Sequence, residues 1–128
     1  MKVTEQTIRK VLKRWRPLLG LDDRWVIEVR MYTREGWPKR WRGSVARVEP
    51  SPGYFSAVLH CNTDALENDG DSLEHNLLHE LAHVPLWRMS MICRDALGDE
   101  QEALWTDLME EAVETFTRAL LARRANAK

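Results

Sequence analysis

The chain opens on a helical period. Ile8, Val11, Leu12, Trp15, Leu18 and Leu19 recur every three or four residues between Thr4 and Leu19, with Arg9, Lys10, Lys13, Arg14 and Arg16 between them. This predicts a basic amphipathic helix ended by Gly20. After Asp22-Asp23 the pattern changes: Trp25 to Tyr32 is β-branched, aromatic and partly alternating, and reads as a strand. Ser44 to Val48 reads as a short returning strand and Tyr54 to Asn62 as a third. Between the first two, Arg34 to Gly43 reads as a loop or hairpin tip, and Pro50, Pro52 and Gly53 punctuate the chain before the third. The second half returns to helical spacing. Asp71 with Glu74 has the form of a capping box, so a helix starts near Ser72; Asp99 with Glu102 starts another that runs to about Arg123, and Leu86 to Leu97 between them also reads as helical. Pro85 cannot donate to the Leu81 carbonyl, which predicts a kink or an end just after His83. These elements imply an α+β fold: an N-terminal helix, a small, mostly antiparallel sheet of about three strands, and two C-terminal helices.

Composition bounds this picture. The 128 residues amount to one domain, and 44% apolar content with 6 Trp gives a packed core and excludes a disordered chain. Cys61 and Cys93 are too few and too far apart for a disulfide scaffold or a CxxC site, and read as buried or idle thiols. No run approaches the ~18 apolar residues of a membrane span. With no apolar stretch behind Met1 to suggest a secretory signal, a cytoplasmic protein without a membrane role is expected. The formal charge is −1, yet Met1 to Arg47 holds 13 Lys and Arg against 5 Asp and Glu, whereas Val48 to Lys128 holds 6 against 15. The neutral total conceals a basic first third and an acidic remainder.

The acidic part carries the chemistry. His79-Glu80-Leu81-Ala82-His83 is a His-Glu-x-x-His sequence inside a helix. Residues four apart share a helical face, so His79 and His83 can present two imidazoles to one ion, while Glu80 stands beside them within reach of a water. Zinc-assisted hydrolysis uses this set: two neutral imidazoles, a third protein ligand, an open position and a carboxylate to take a proton. At about 100° per residue from Leu77, Leu73, Leu81 and Val84 fall within about 40°, whereas His79 and His83 fall at about 200° and 240°. The histidines therefore point away from the leucine stripe, which core histidines would share. Between Val48 and Trp87 there is no Lys or Arg, a local field that favours a divalent cation.

The third ligand must come from elsewhere, because Leu86 and Met89 stand where an extended metzincin motif needs Gly and His. The last helix offers Glu102, Glu110, Glu111 and Glu114. Its apolar face, taken as Trp105, Leu108, Met109, Ala112, Phe116, Ala119 and Leu120, puts Glu111 about 110° from its centre, and Glu110 and Glu114 about 150° and 170° away. Glu111 is the first choice and Glu110 the second; if Glu110 is the ligand, Glu114 one turn later is placed to orient an imidazole. His60, His75 and Tyr54 are unranked candidates for stabilising an oxyanion.

His79 to His83 followed by Met109-Glu110-Glu111-Ala112-Val113-Glu114-Thr115-Phe116 resembles the gluzincin pattern of an active-site helix and a downstream glutamate helix. In its small size the chain is similar to the minigluzincins and to ImmA/IrrE-type or phage-encoded metallopeptidases. The strand from Asp23 to Val29, and Ala57 to His60 before the motif, suit that layout, so the resemblance spans residues 22 to 121, with only the five-residue motif specific. It implies Glu111 as the ligand, because Glu111-Ala112 matches the family's ligating Glu-Ala. Pro85 departs from the usual continuation.

The resulting expectation is a zinc metallopeptidase that hydrolyses peptide or protein substrates, with Glu80 as general base and His79, His83 and Glu111 as ligands. The strand from Tyr54 to Asn62 is expected to serve as an edge for an extended peptide. The alternative is a metal-binding or metal-free regulatory module, SprT-like or ImmA-like, that binds DNA or a protein. Its basis is Arg34, Lys39, Arg40, Arg42 and Arg47 interleaved with Trp37 and Trp41, a mixture suited to phosphate contact and base stacking. Oligomeric state has no signature in the chain.

Overall fold

The structure is a computed structural model that describes residues 2–126. Thr4 caps the first helix, α1 (Glu5–Trp15): its hydroxyl accepts from the Thr7 backbone N–H at 3.2 Å, and Thr7 Oγ1 accepts from the Thr4 N–H at 2.9 Å. The periodic face is buried at Ile8, Val11, Leu12 and Trp15. The helix is shorter than its periodicity, because Pro17 has no N–H to continue it. A 3-10 turn, Pro17–Leu19, follows, and Gly20, at φ 72°, closes that turn.

Three strands form one sheet, β1 (Val26–Tyr32), β2 (Ala46–Ser51) and β3 (Ser56–Asn62), in the order β1-β3-β2. β2 and β3 pair antiparallel through a tight connection at Pro52–Tyr54, with Glu49 opposite Val58. β1 and β3 pair parallel, with Val29 opposite Leu59, so the sheet is mixed. The parallel pairing follows from the connection: residues 33–45 leave β1 and deliver β2 to the far side of β3, carrying Trp41 onto His60 at 4.7 Å between rings. The strand expected to be an edge, Tyr54 to Asn62, is instead the central strand, paired on both sides. Tyr54 lies outside it, 86% exposed in the preceding turn. The sheet edge beside the helices is β2, which packs against the motif helix.

Asn62 accepts from the Ala65 N–H to start a short helix, α2 (Thr63–Glu67). The motif helix, α3 (Leu73–Leu97), starts where expected but is capped by Ser72, whose hydroxyl accepts from the His75 N–H at 3.0 Å, rather than by Asp71. It runs through Pro85 without ending. The lost Leu81 hydrogen bond is one among many, and side chains beyond it, such as Leu86, pack on the last helix, α4 (Asp99–Asn126).

The core lies between one face of the sheet and the helices. Ile27, Val48, Ala57, Leu59 and Cys61 meet α1 and the Leu73, Leu77, Leu81 and Val84 stripe of α3. On its other side α3 meets α4 through Ala82, Met109 and Val113. Burial of this kind contributes about 25 cal/mol per Å² of apolar surface, which makes the α3 stripe the main fixture of the motif. Among the described residues no helix is long and apolar enough to cross a membrane.

Candidate metal centre

With the leucine stripe of α3 held in the core, His79 and His83 are turned toward α4, their ring centroids 5.2 Å apart. The carboxylate that meets them is Glu110. Its Oε2 is 3.0 Å from His79 Nε2 and its Oε1 is 3.1 Å from His83 Nε2. One donor atom from each of the three residues lies within 4.8 Å of the other two. Glu111, the first choice from the sequence, stands at the rim of the same cleft, and no hydrogen bond or ion pair joins its carboxylate to either histidine among the described residues.

The reason lies in α4. The residues it buries are Met109, Val113 and Thr117, while Leu108 and Phe116, counted in the apolar face, are 50% and 59% exposed. Measured from Val113 at about 100° per residue, Glu110 lies about 60° away, Glu114 about 100° and Glu111 about 160°. The true packing stripe thus reverses the ranking.

Glu114 takes the place anticipated for it if Glu110 faces the histidines. Its Oε1 is 3.1 Å from His79 Nδ1 and 2.9 Å from His75 Nε2, and Arg118 Nε donates to its Oε2 at 3.1 Å. An acceptor on Nδ1 fixes the ring so that Nε2 faces the neighbouring donors. Both nitrogens of His79 here meet carboxylates. The hydrogen bond with Glu110, aided by Glu114 and opposed by burial, raises the His79 pKa to about 9. Hydrogen bonds with His79 and His83 hold Glu110 well below the usual carboxylate range. At Glu114 burial acts to raise the pKa, but His75, His79 and Arg118 outweigh it and bring it to about 2.

Glu80 lies between α3 and the strand β2, close to both histidines. Burial raises its carboxyl pKa, against the pull of His83 and His79 and of a backbone hydrogen bond from Val48. Two connected hollows, of about 460 and 260 Å³, flank Glu80 and Glu110, and Ser44 and Ala46 line both. The free edge of β2 therefore forms one wall of the cleft. The opposite wall is acidic, with Asp71, Glu111 and Glu114.

The donor set fits a divalent ion of the zinc type. Two donors at about 2.0–2.1 Å from a tetrahedrally held ion stand about 3.3 Å apart, only a few tenths of an ångström more than the nitrogen-to-oxygen separations observed. Two imidazoles with one carboxylate match zinc's preference for nitrogen and oxygen ligands.

Of the three oxyanion candidates, only His75 lines the cleft. His60 sits on the other face of the sheet, buried under Trp41, with Nδ1 2.7 Å from the Tyr32 hydroxyl. Cys61 is on the core face, where burial pushes its thiol up to about 12, which makes it inert. The cleft residues that sequence reading missed, Ser44, Ala46, Asn76 and Trp87, carry no motif; their proximity follows from strand order and helix packing. Of the interleaved aromatics of the basic loop, Trp41 is turned inward and 5% exposed, while Trp37, packed on Trp41 and Tyr32 at 5.1 and 5.3 Å between rings, stays half-buried and lines a hollow with Arg34, Lys39 and Arg42. Comparison with protein-family models, curated proteins and solved structures finds no match for this chain.

Proposed function

We propose that this protein is a zinc-dependent metallopeptidase. The observation that carries the reading is the convergence of His79, His83 and Glu110 within 4.8 Å, beside a carboxylate, Glu80, whose pKa burial has raised. His79 and His83 would hold the ion through Nε2 and Glu110 through its carboxylate, with Glu114 keeping the His79 ring in the required tautomer. When bound, zinc supplies Lewis acidity toward a scissile carbonyl and lowers the pKa of water.

The remaining work belongs to the chain. Glu80 accepts a proton from the attacking water on its carboxylate and returns it to the leaving amine, roles that benefit from a pKa moved toward the working pH. The outer edge of β2 aligns an extended peptide by backbone hydrogen bonding, with Ser44 to Arg47 running past Glu80. This edge replaces β3 in the role expected from the sequence.

Metal content and turnover together test the reading. The wild type is expected to bind one zinc per chain and to cleave an unstructured protein such as casein. Glu80→Gln keeps the zinc and loses about 10²–10⁴-fold in kcat. A wild type that takes up no zinc from solution, or a Glu80→Gln variant as active as the wild type, overturns it.

A further inference from the structure

Beyond Ser44 and Val45, on the side away from the histidines, lies a separate hollow of about 400 Å³. Arg34, Lys39 and Arg42 line it, and Asn62 and Ala65 contribute to its walls. All three cations are exposed, and none forms an ion pair among the described residues. Asp64 is engaged by the Arg34 backbone, accepting its N–H at 2.8 Å. The loop that carries the cations is braced from beneath. Trp37 Nε1 donates to the Trp41 carbonyl at 3.1 Å, and Trp41 is packed on Tyr32 and His60.

We propose that this hollow is a specificity subsite for one carboxylate of the substrate peptide, either an Asp or Glu side chain or the C-terminal carboxylate. The proposal rests on the peptidase reading and names the substrate class for the same cleft. Three observations carry it. The first is continuity: Ser44 lines both parts of the cleft and also the cationic hollow. A strand advances about 3.3 Å per residue, so a peptide laid along β2 past Glu80 brings a residue a few positions from the scissile bond to Arg42 and Arg34.

The second is the field. Asp71, Glu80, Glu110, Glu111 and Glu114 outnumber Arg47 in the cleft and disfavour an anionic residue there, and the three cations next to it attract one, so the charge pattern favours placing the carboxylate beyond Ser44. The third is chemistry: exposed guanidinium groups without acidic partners are preorganised forks for a carboxylate. A nucleic acid fits less well. Trp41 is buried, Trp37, which lines the hollow, is packed on Trp41 and Tyr32, and a polyanion extending past Ser44 meets the acidic cleft.

The test uses internally quenched peptides based on one neutral sequence that the wild type cleaves. Each carries Glu, Gln or Lys at one position within four of the scissile bond, and each is made as the free acid and as the C-terminal amide. The expected result is a kcat/KM about tenfold higher for Glu than for Gln at one position, or for acid over amide, which separates the two sources. In Arg34→Ala/Arg42→Ala the ratio falls toward one. In Arg42→Glu the preference turns to Lys, an outcome that a purely structural role of Arg42 would not produce.

Binding is followed in parallel by fluorescence anisotropy of the same peptides on Glu80→Gln protein. Wild-type cleavage without charge preference overturns the subsite and leaves the peptidase reading intact. Acidic peptides that bind, and lose binding in the double variant, while no peptide is cleaved, retain the carboxylate site and sink the peptidase reading. Single-stranded oligothymidine that displaces the acidic peptide at lower concentration than unlabelled peptide does overturns the proposal in favour of a nucleic-acid surface.

Discussion

The two charged hollows that meet at Ser44 hold their charges in opposite ways. In the acidic cleft the ionisable groups already engage one another. Glu110 bridges two imidazoles, and Glu114 gathers His75, His79 and Arg118. In the basic hollow Arg34, Lys39 and Arg42 face solvent, with no acid among the residues that line it and no ion pair among the described residues. The difference separates two kinds of readiness. A paired cluster of imidazole and carboxylate is preorganised for a cation that replaces its protons, because the donors already converge. An unpaired cluster is free for an anion brought from outside.

The largest effect expected is at the proposed ligands. His79→Ala and Glu110→Ala should each abolish stoichiometric zinc binding, whereas Glu111→Ala should keep it, as read by metal analysis after dialysis. The reverse result for the two glutamates would break the assignment of Glu110 and restore Glu111. Next, Leu81→Ala removes a fully buried side chain from the stripe that aims the histidines and should cost about 2–5 kcal/mol in chemical denaturation. Leu108→Ala, on the exposed side of α4, should change stability by no more than about 0.5 kcal/mol. Equal losses at the two positions would show that the packing stripe of α4 has been misplaced.

A smaller effect is expected at Glu114. Glu114→Gln should weaken zinc binding about 10–100-fold in a competition titration, because the Nδ1 partner of His79 loses its charge. The paired cluster should also report its own proton. His79 titrates near 9 in the fold against about 6.5 in an unfolded chain, so its stabilising contribution is complete below pH 6.5 and is lost as the pH rises through 9. The melting temperature of the zinc-free protein should therefore fall by a few degrees across that window, and zinc, which takes the proton's place, should flatten the slope. A zinc-free protein whose melting temperature rises from pH 6.5 to 9 would contradict the pairing.

Much of the arrangement was legible in the chain. The phase of Leu73, Leu77, Leu81 and Val84 put the histidines on the far face of α3, and the structure buries those four residues. The α+β layout followed from where the period changes. The misreading of α4 has a specific origin: Leu108 and Phe116 are apolar and helically spaced but exposed, while Thr117, a polar residue, is fully buried with its hydroxyl donating to the Val113 carbonyl at 2.8 Å. A hydroxyl satisfied within its own helix packs like an apolar group, so residue type alone misplaced the stripe. Of the two outcomes expected at Pro85, the end does not occur, because packing beyond it sustains the helix.

The sequence by itself determined what depends on neighbours along the chain: the helix start near Ser72, the shared face of His79 and His83, the place of Glu80 beside them, and the separation of basic from acidic segments. Tertiary structure alone decided which glutamate faces the histidines, that β2 rather than β3 is the free edge, and that Trp41 of the basic loop turns inward while Arg34, Lys39 and Arg42 form no ion pair among the described residues. The first group is governed by local backbone geometry, with a fixed rotation per residue. The second depends on how one element rotates and orders itself against another to bury apolar surface, which is settled by contacts between residues far apart in the chain.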